Sequence, residues 1–287
     1  MKGADSTMHN IRKLAFIGGG NMAGALIGGL VRRGVPASHL VVADPGAAQR
    51  EGLAAAWGIS AVADNAIAVA GAEVVLLAVK PQQLRAVALG LAPHLQAAPL
   101  EARPLVISVA AGIPHAALAR WFGAGVPVVR TMPNRPALNG FGATGLYAPE
   151  SVGAAHRALA ESIMAAVSAT VWVEHEAQMD TVTALSGSGP AYFFLFMEAL
   201  EAAAHERGLP AEVAHRLTLE TAYGAAAMAR DCPDSLATLR EQVTSRGGTT
   251  AAALAVLDGA GLRAIVAHAV AAADRRSAEL AAEFGAG

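Results

Sequence analysis

Leu14-Ala15-Phe16-Ile17-Gly18-Gly19-Gly20-Asn21-Met22-Ala23 is the stretch that decides the fold. Four apolar residues form a strand that runs straight into a G-x-G-x-x-A loop at the mouth of a helix-length segment. Each small residue has a physical task there. Gly18 permits the tight turn, Gly20 lets a pyrophosphate touch the backbone, and Ala23 lets the helix pack on the strand. Asn21 and Met22 open that helix, whose free amides and dipole attract phosphates. A glycine-rich loop by itself is a weak signal, so its context carries the weight.

Downstream, the chain alternates β-branched runs with Ala-rich amphipathic stretches up to about Val173. Strands are expected at residues 14–18, 40–43, 74–78, 105–108, 128–132, 145–147 and 170–173. Helix-length segments such as 22–33, 47–57 and 151–167 lie between them, the pattern of a parallel sheet covered by helices. After Glu174 the strand signal stops. Helices are expected at 179–207, interrupted near Gly187 to Pro190, and then at 210–230, 235–243, 249–257 and 262–284. The expected class is α/β, with a Rossmann-like dinucleotide-binding domain at residues 1–174 and an all-helical domain at 175–287. The run Ala191-Tyr192-Phe193-Phe194-Leu195-Phe196-Met197 is apolar on every face, so a second subunit is expected to bury it.

Composition narrows the partners. The 287 residues are 54% apolar and 15% charged with a formal net charge of -2, which offers no basic field to nucleic acid or an acidic membrane. The single cysteine, Cys232, excludes an intramolecular disulfide framework and fits a reducing, cytoplasmic compartment. Arg12 and Lys13 before the apolar run 14–30 have the look of a secretory leader, but six glycines in that run argue against one. No stretch offers the ~18 uninterrupted apolar residues of a membrane span. The nine histidines show no H-x-x-x-H or H-E-x-x-H spacing, so no metal is expected.

Asp44, in Ala43-Asp44-Pro45, stands at the end of the second strand. A carboxylate there hydrogen-bonds a ribose 2′-hydroxyl and repels a 2′-phosphate, favouring NADH, while Arg50 six residues on offsets that repulsion. NADPH and NADH both remain open on this reading.

Five further segments follow in order: Ala78-Val79-Lys80-Pro81-Gln82, Ser108-Val109-Ala110-Ala111-Gly112, Arg130-Thr131-Met132-Pro133-Asn134, Gly187-Ser188-Gly189-Pro190-Ala191-Tyr192 and Ser245-Arg246-Gly247-Gly248-Thr249-Thr250. Together with the first loop they resemble the pyrroline-5-carboxylate reductase family from end to end. The resemblance implies NAD(P)H-dependent reduction of the cyclic imine 1-pyrroline-5-carboxylate to L-proline, the last step of proline biosynthesis. It implies cofactor contacts for Asn65, Ala78, Val79, Lys80, Pro81, Ala110 and Ala111. Substrate contacts fall to Ser245, Gly247, Gly248, Thr249 and Thr250, with Ser245 and Thr250 facing the ring. A homodimer, built in relatives into a larger ring, is implied as well. Arg246 and Arg135 replace the proline and threonine usual in the family; neither change removes a group the chemistry needs.

These residue types suit imine reduction. Gly247-Gly248-Thr249-Thr250 opens a helix and offers successive N–H donors to a carboxylate. An iminium already invites hydride, so only a donor that keeps the nitrogen protonated is required, and the Thr250 hydroxyl fits that contact. A β-hydroxyacid dehydrogenase is the nearest rival, and it resembles its relatives in using a lysine of the helical domain. Here the lysines are Lys2, Lys13 and Lys80, none of them in that domain. The other rival, a catalytically silent scaffold, is opposed by the intact 245–250 loop.

Overall fold

The computed structural model describes residues 11–285. Lys2, and the ends of both expected domains, lie outside the described residues. Eight strands form one sheet in the order β3-β2-β1-β4-β5-β6-β7-β8. They are β1 (Leu14–Ile17), β2 (Leu40–Ala43), β3 (Ser60–Val62), β4 (Val74–Leu77), β5 (Leu105–Ser108), β6 (Val128–Met132), β7 (Gly142–Tyr147) and β8 (Ser168–Trp172). The covering helices are α1 (Asn21–Arg32), α2 (Ala47–Trp57), α3 (Asn65–Val69), α4 (Pro81–Gln96), α5 (His115–Phe122) and α6 (Ala154–Met164).

The β-branched runs read as strands because both faces of each are covered, which removes any need for polar alternation. Along β1, Leu14 and Phe16 enter one core cluster with Leu26, Ile27 and Leu30 of α1. Ala15 and Ile17 enter the other, with Leu84 and Leu91 of α4 and Phe122 of α5. The sheet is therefore a doubly wound sandwich, as expected.

Two features depart from the sequence reading. Strand β3 was not expected: it is three residues long, partly exposed, and pairs only with β2, so it carries no apolar run to betray it. The sheet is also not wholly parallel, because β6 and β7 pair antiparallel. Residues 133–141 between them fall short of the dozen or so that a parallel crossover takes. Helix α6 then provides such a crossover, and β7 and β8 are parallel.

Residues 11–188 together with 273–285 form one compact unit, and Gly189–Ala272 forms a second. The helical stretch expected at 179–207 is built as α7 (Gln178–Val182), a π-helical turn (Thr183–Gly187) and α8 (Gly189–Glu206). The expected interruption is real, but it takes the form of a widened turn that ends where the chain enters the second unit. Single π turns of this kind recur at functional sites.

Within the second unit lie α8, α9 (Ala211–Asp231), α10 (Leu236–Gln242), α11 (Thr249–Gly259) and the start of α12 (Leu262–Gly285). This unit is short of core. Phe193, Phe194, Leu195 and Phe196 on α8, and Leu217 and Tyr223 on α9, are all exposed in the single chain. The end of α12 belongs to the first unit, where Phe284 packs on the second core cluster and Arg120 donates to the Gly285 carbonyl at 2.9 Å. Among the described residues no single helix is long and apolar enough to cross a membrane.

Candidate functional site

In an open α/β sheet the ligand crevice forms where the chain leaves neighbouring strands in opposite directions. Here that point lies between β1 and β4, since β2 follows β1 on one side and β4 sits on the other. Gly18 follows β1 and Ala78 follows β4. At φ +91° Gly18 adopts a backbone that side chains avoid, and a Cβ on it would meet the Ala78 carbonyl oxygen at 2.7 Å and Val79 Cγ1 at 3.0 Å. The glycine loop and the A-V-K-P turn touch through that missing side chain.

Gly20 is the N-cap of α1, is exposed, and has nothing within 4 Å of where a Cβ would stand. Its backbone faces open space, with Asn21 exposed beside it and no side chain capping the first amides of α1. Ala23 is fully buried in the core. Gly28 and Gly29, to which the sequence reading gave no role, set the angle of α1: a Cβ on either would collide with Trp57 and with Val167 respectively. The helix start is thus fixed by packing two turns away.

Asp44 follows β2. Its Oδ2 accepts from the Gly19 amide at 2.8 Å and its Oδ1 from the Gly46 amide, also at 2.8 Å. Gln49, another residue without a signal of its own in the sequence, donates to the Gly19 carbonyl. Arg50 Nη1 donates to the carbonyls of Asp44 at 2.7 Å and Pro45 at 2.9 Å.

The remaining sites expected in this unit line the same end of the sheet. Ala78 and Val79 are half-buried, Lys80 is exposed at the N-cap of α4, and Pro81 is the first residue of that helix, where its lack of an N–H does no harm. Ala110 is buried and Ala111 half-buried beyond β5, in a turn that Ser108 Oγ braces by accepting from the Ala110 amide at 3.3 Å. Asn65 opens α3, whose N-cap Asp64 accepts from Ala66 N at 2.8 Å. It lines a cleft of about 370 Å³ with Asp64, Val87 and His94.

The R-T-M-P-N segment is held in place by side-chain hydrogen bonds. Thr131 Oγ1 donates to the Ser108 carbonyl at 2.9 Å. Asn134 donates through Nδ2 to the Ser186 carbonyl in the π turn, and its Oδ1 accepts from Ala143 N, both at 2.9 Å. Arg135 is exposed.

In the second unit the loop before α11 makes a turn closed by Gly248 N donating to the Ser245 carbonyl at 3.0 Å, with Gly247 at φ +71°. A Cβ on Gly248 would collide with Ser245 Oγ. Gly248 is the N-cap of α11 and no side chain caps that helix, which leaves the first amides of the helix, at Thr249 and Thr250, for an external acceptor. The Gly248 amide is already spent in the turn, so the row of donors is shorter than the sequence suggests. Ser245, Arg246 and Thr249 are exposed and Thr250 is half-buried.

Residues 176–280 match the family described as pyrroline-5-carboxylate reductase dimerisation, and residues 13–112 match the family described as NADP oxidoreductase, coenzyme F420-dependent. A pyrroline-5-carboxylate reductase from Pseudomonas aeruginosa is 50% identical over 273 residues, covering 95% of this chain and 98% of the relative. One from Pasteurella multocida is 44% identical, covering 94% and 98%. Among solved structures, a pyrroline-5-carboxylate reductase from Coxiella burnetii is similar with TM-score 0.90 and 42% identity over 94% of this chain and 99% of that one. The Plasmodium falciparum pyrroline carboxylate reductase with NADP bound gives TM-score 0.81 and 27% identity, covering 96% and 99%.

Proposed function

The chain belongs to the pyrroline-5-carboxylate reductase family, and from that premise we propose how its own residues reduce 1-pyrroline-5-carboxylate to L-proline. The observation that carries the reading is half-identity to such a reductase over nearly the whole chain. The protein is an oxidoreductase that uses NAD(P)H, and the cradle at the end of β1 fits that cofactor: open space at Gly20, uncapped amides on α1, and a Gly18 turn that admits no side chain.

Gly18 makes the turn and Ala23 packs the helix so that Gly20, Asn21 and Met22 hold the pyrophosphate, Asp44 stands at the adenosine ribose, and Asn65, Ala78, Val79, Lys80, Pro81, Ala110 and Ala111 line the rest of the groove. When bound, the cofactor supplies the hydride, and the protein supplies orientation. Fixing the reacting carbon in near-attack geometry is worth several kcal/mol, up to ~7–11 in model systems.

The substrate is anionic at its carboxylate, and the free amides at Thr249 and Thr250 anchor it, with the Gly247-Gly248 turn bringing the backbone close. Ser245 and Thr250 present hydroxyls to the ring, and Thr250 is the contact that keeps the ring nitrogen protonated. Functionally the division remains residues 1–174 for the dinucleotide and 175–287 for substrate and dimerisation, a boundary close to the start of the dimerisation match at residue 176. The protein works in the cytoplasm as a homodimer, with dimers joined into a larger ring.

The test is direct: purified protein with 1-pyrroline-5-carboxylate and NADPH or NADH, followed by loss of nicotinamide absorbance and by proline formation. Cofactor oxidation matched by proline supports the reading. Cofactor binding without turnover would make the chain a silent dinucleotide-binding protein instead.

A further inference from the structure

A carboxylate at the end of the second strand ordinarily selects against NADPH, because it would lie beside the 2′-phosphate. In this chain the carboxylate is engaged elsewhere. Both Asp44 oxygens take a backbone amide at 2.8 Å, one from Gly19 in the phosphate loop and one from Gly46 in its own loop. Two amide dipoles therefore already face the negative charge, and its direction is set by the glycine loop rather than by a ribose. Asp44 acts as a strut between the two loops, helped by Gln49, which donates to the Gly19 carbonyl from the other side.

Arg50 completes the arrangement. Its Nη1 is pinned by the carbonyls of Asp44 and Pro45, at 2.7 and 2.9 Å, so the guanidinium is held beside the end of β2 instead of sampling solvent. Guanidinium carries five donors in a fixed fork. With Nη1 spent on the two carbonyls, the other donors of the fork remain, and no ion pair joins Arg50 to an acidic side chain among the described residues. Behind it, Gly46 caps α2 without a side-chain cap, so the first amides of an eleven-residue helix lie at the same spot. A fixed cation, uncapped helix amides and an inward-turned carboxylate make a place for a phosphate dianion.

We infer that Arg50 is the specificity-determining residue for the cofactor: it receives the 2′-phosphate of NADPH, while Asp44 braces the glycine loop and does not exclude that phosphate. The inference rests on the reading of residues 14–50 as the dinucleotide cradle.

The experiment is calorimetric titration of the intact protein with NADPH and with NADH, in wild type, Arg50→Ala and Asp44→Asn. Thermal-shift measurements with adenosine 2′,5′-bisphosphate and with 5′-AMP accompany it, so that binding is read without turnover. Arg50→Ala is expected to weaken NADPH by about ten-fold or more and NADH by less than about two-fold, the scale of one charge-assisted contact. It should also abolish the extra thermal shift of the bisphosphate over 5′-AMP. Arg50→Lys restores part of the NADPH affinity. Asp44→Asn should weaken both cofactors together.

Equal loss of both cofactors in Arg50→Ala would mark Arg50 as a purely structural clamp on the loop and overturn the inference. So would an Asp44→Asn variant that loses NADH alone. Wild-type protein that binds none of the four ligands would instead refute the cradle itself, and with it the proposed function.

Discussion

Glu176 Oε1 sits 2.9 Å from Arg130 Nη1 and 2.5 Å from the His115 amide, so one carboxylate oxygen joins the middle of β6, the start of α5 and the segment leading into α7. The Arg130 side chain is only 5% exposed, and removing its partner strands a cation in the core. Breaking a buried pair from one side typically costs ~3–5 kcal/mol; Glu176 is partly exposed, and a loss of about 2 kcal/mol is expected for Glu176→Ala. Chemical denaturation should read that loss, with Glu176→Gln intermediate because it keeps a hydrogen-bond acceptor.

His115 lies in the same cluster, edge-on to Tyr147, and burial pushes its imidazole below the usual range against the opposing pull of Glu176. The folded protein therefore binds that proton more weakly than the unfolded chain. Its contribution to stability is complete above the ordinary histidine value of 6.5 and is lost as pH falls below it. Melting temperature should drop on acidification from neutral pH, and the drop should be smaller in His115→Gln. His156, also lowered by burial, keeps the variant from being flat. An unchanged pH slope in the variant would remove His115 as a contributor.

Gly18→Ala and Gly20→Ala should separate folding from binding. The first puts a methyl 2.7 Å from the Ala78 carbonyl at a positive φ, and strain of this kind costs about 1–3 kcal/mol, so melting temperature falls even without ligand. The second meets nothing within 4 Å and leaves the unliganded protein as stable as before. Its loss should be confined to dinucleotide affinity, read by titration. A Gly20→Ala protein that binds both cofactors normally would remove Gly20 from the phosphate site.

The same glycines show what the sequence disclosed. A strand ending in Gly18-Gly19-Gly20 is a local signal, because turn, amide exposure and strand all lie within one heptad of chain, and the buried runs at 40–43, 74–77 and 105–108 are equally local. Gly28 against Trp57, Gln49 on Gly19, Asn134 on Ser186 and Glu176 on Arg130 are long-range pairings, and neither partner has a periodicity that points to the other. The spent amide of Gly248 likewise depends on the turn back to the Ser245 carbonyl, which no residue type in the loop announces. Asp44 is the instructive case: its place at the end of β2 was legible, but the direction of its carboxylate was not.

Phe193 and Leu195 on α8 are 71% and 67% exposed in the single chain, in the segment that matches a dimerisation family. Burying one such side chain is worth about 1.5–3 kcal/mol, and a dimer buries each twice over. Phe193→Asp combined with Leu195→Asp should shift sedimentation toward the monomer and lower the melting temperature. Wild-type protein sedimenting as a stable monomer at micromolar concentration would contradict the role assigned to this face.

Thr250 carries the sharpest kinetic prediction. Its hydroxyl is assigned to the ring nitrogen, while its amide anchors the carboxylate; Thr250→Ala removes the hydroxyl and the γ-methyl but keeps the amide. Helix α11 keeps its Gly248 cap and its turn hydrogen bond to Ser245, so the loop should fold as before. The expected result is a fall in kcat/KM of about ten-fold or more, equivalent to ~1.4 kcal/mol of lost transition-state stabilisation, with NAD(P)H affinity unchanged. Thr250→Ser should recover most of the rate, since the hydroxyl returns without the methyl. If alanine turns over like the wild type, proton management at the ring nitrogen must be sought at Ser245, where Ser245→Ala would then show the deficit.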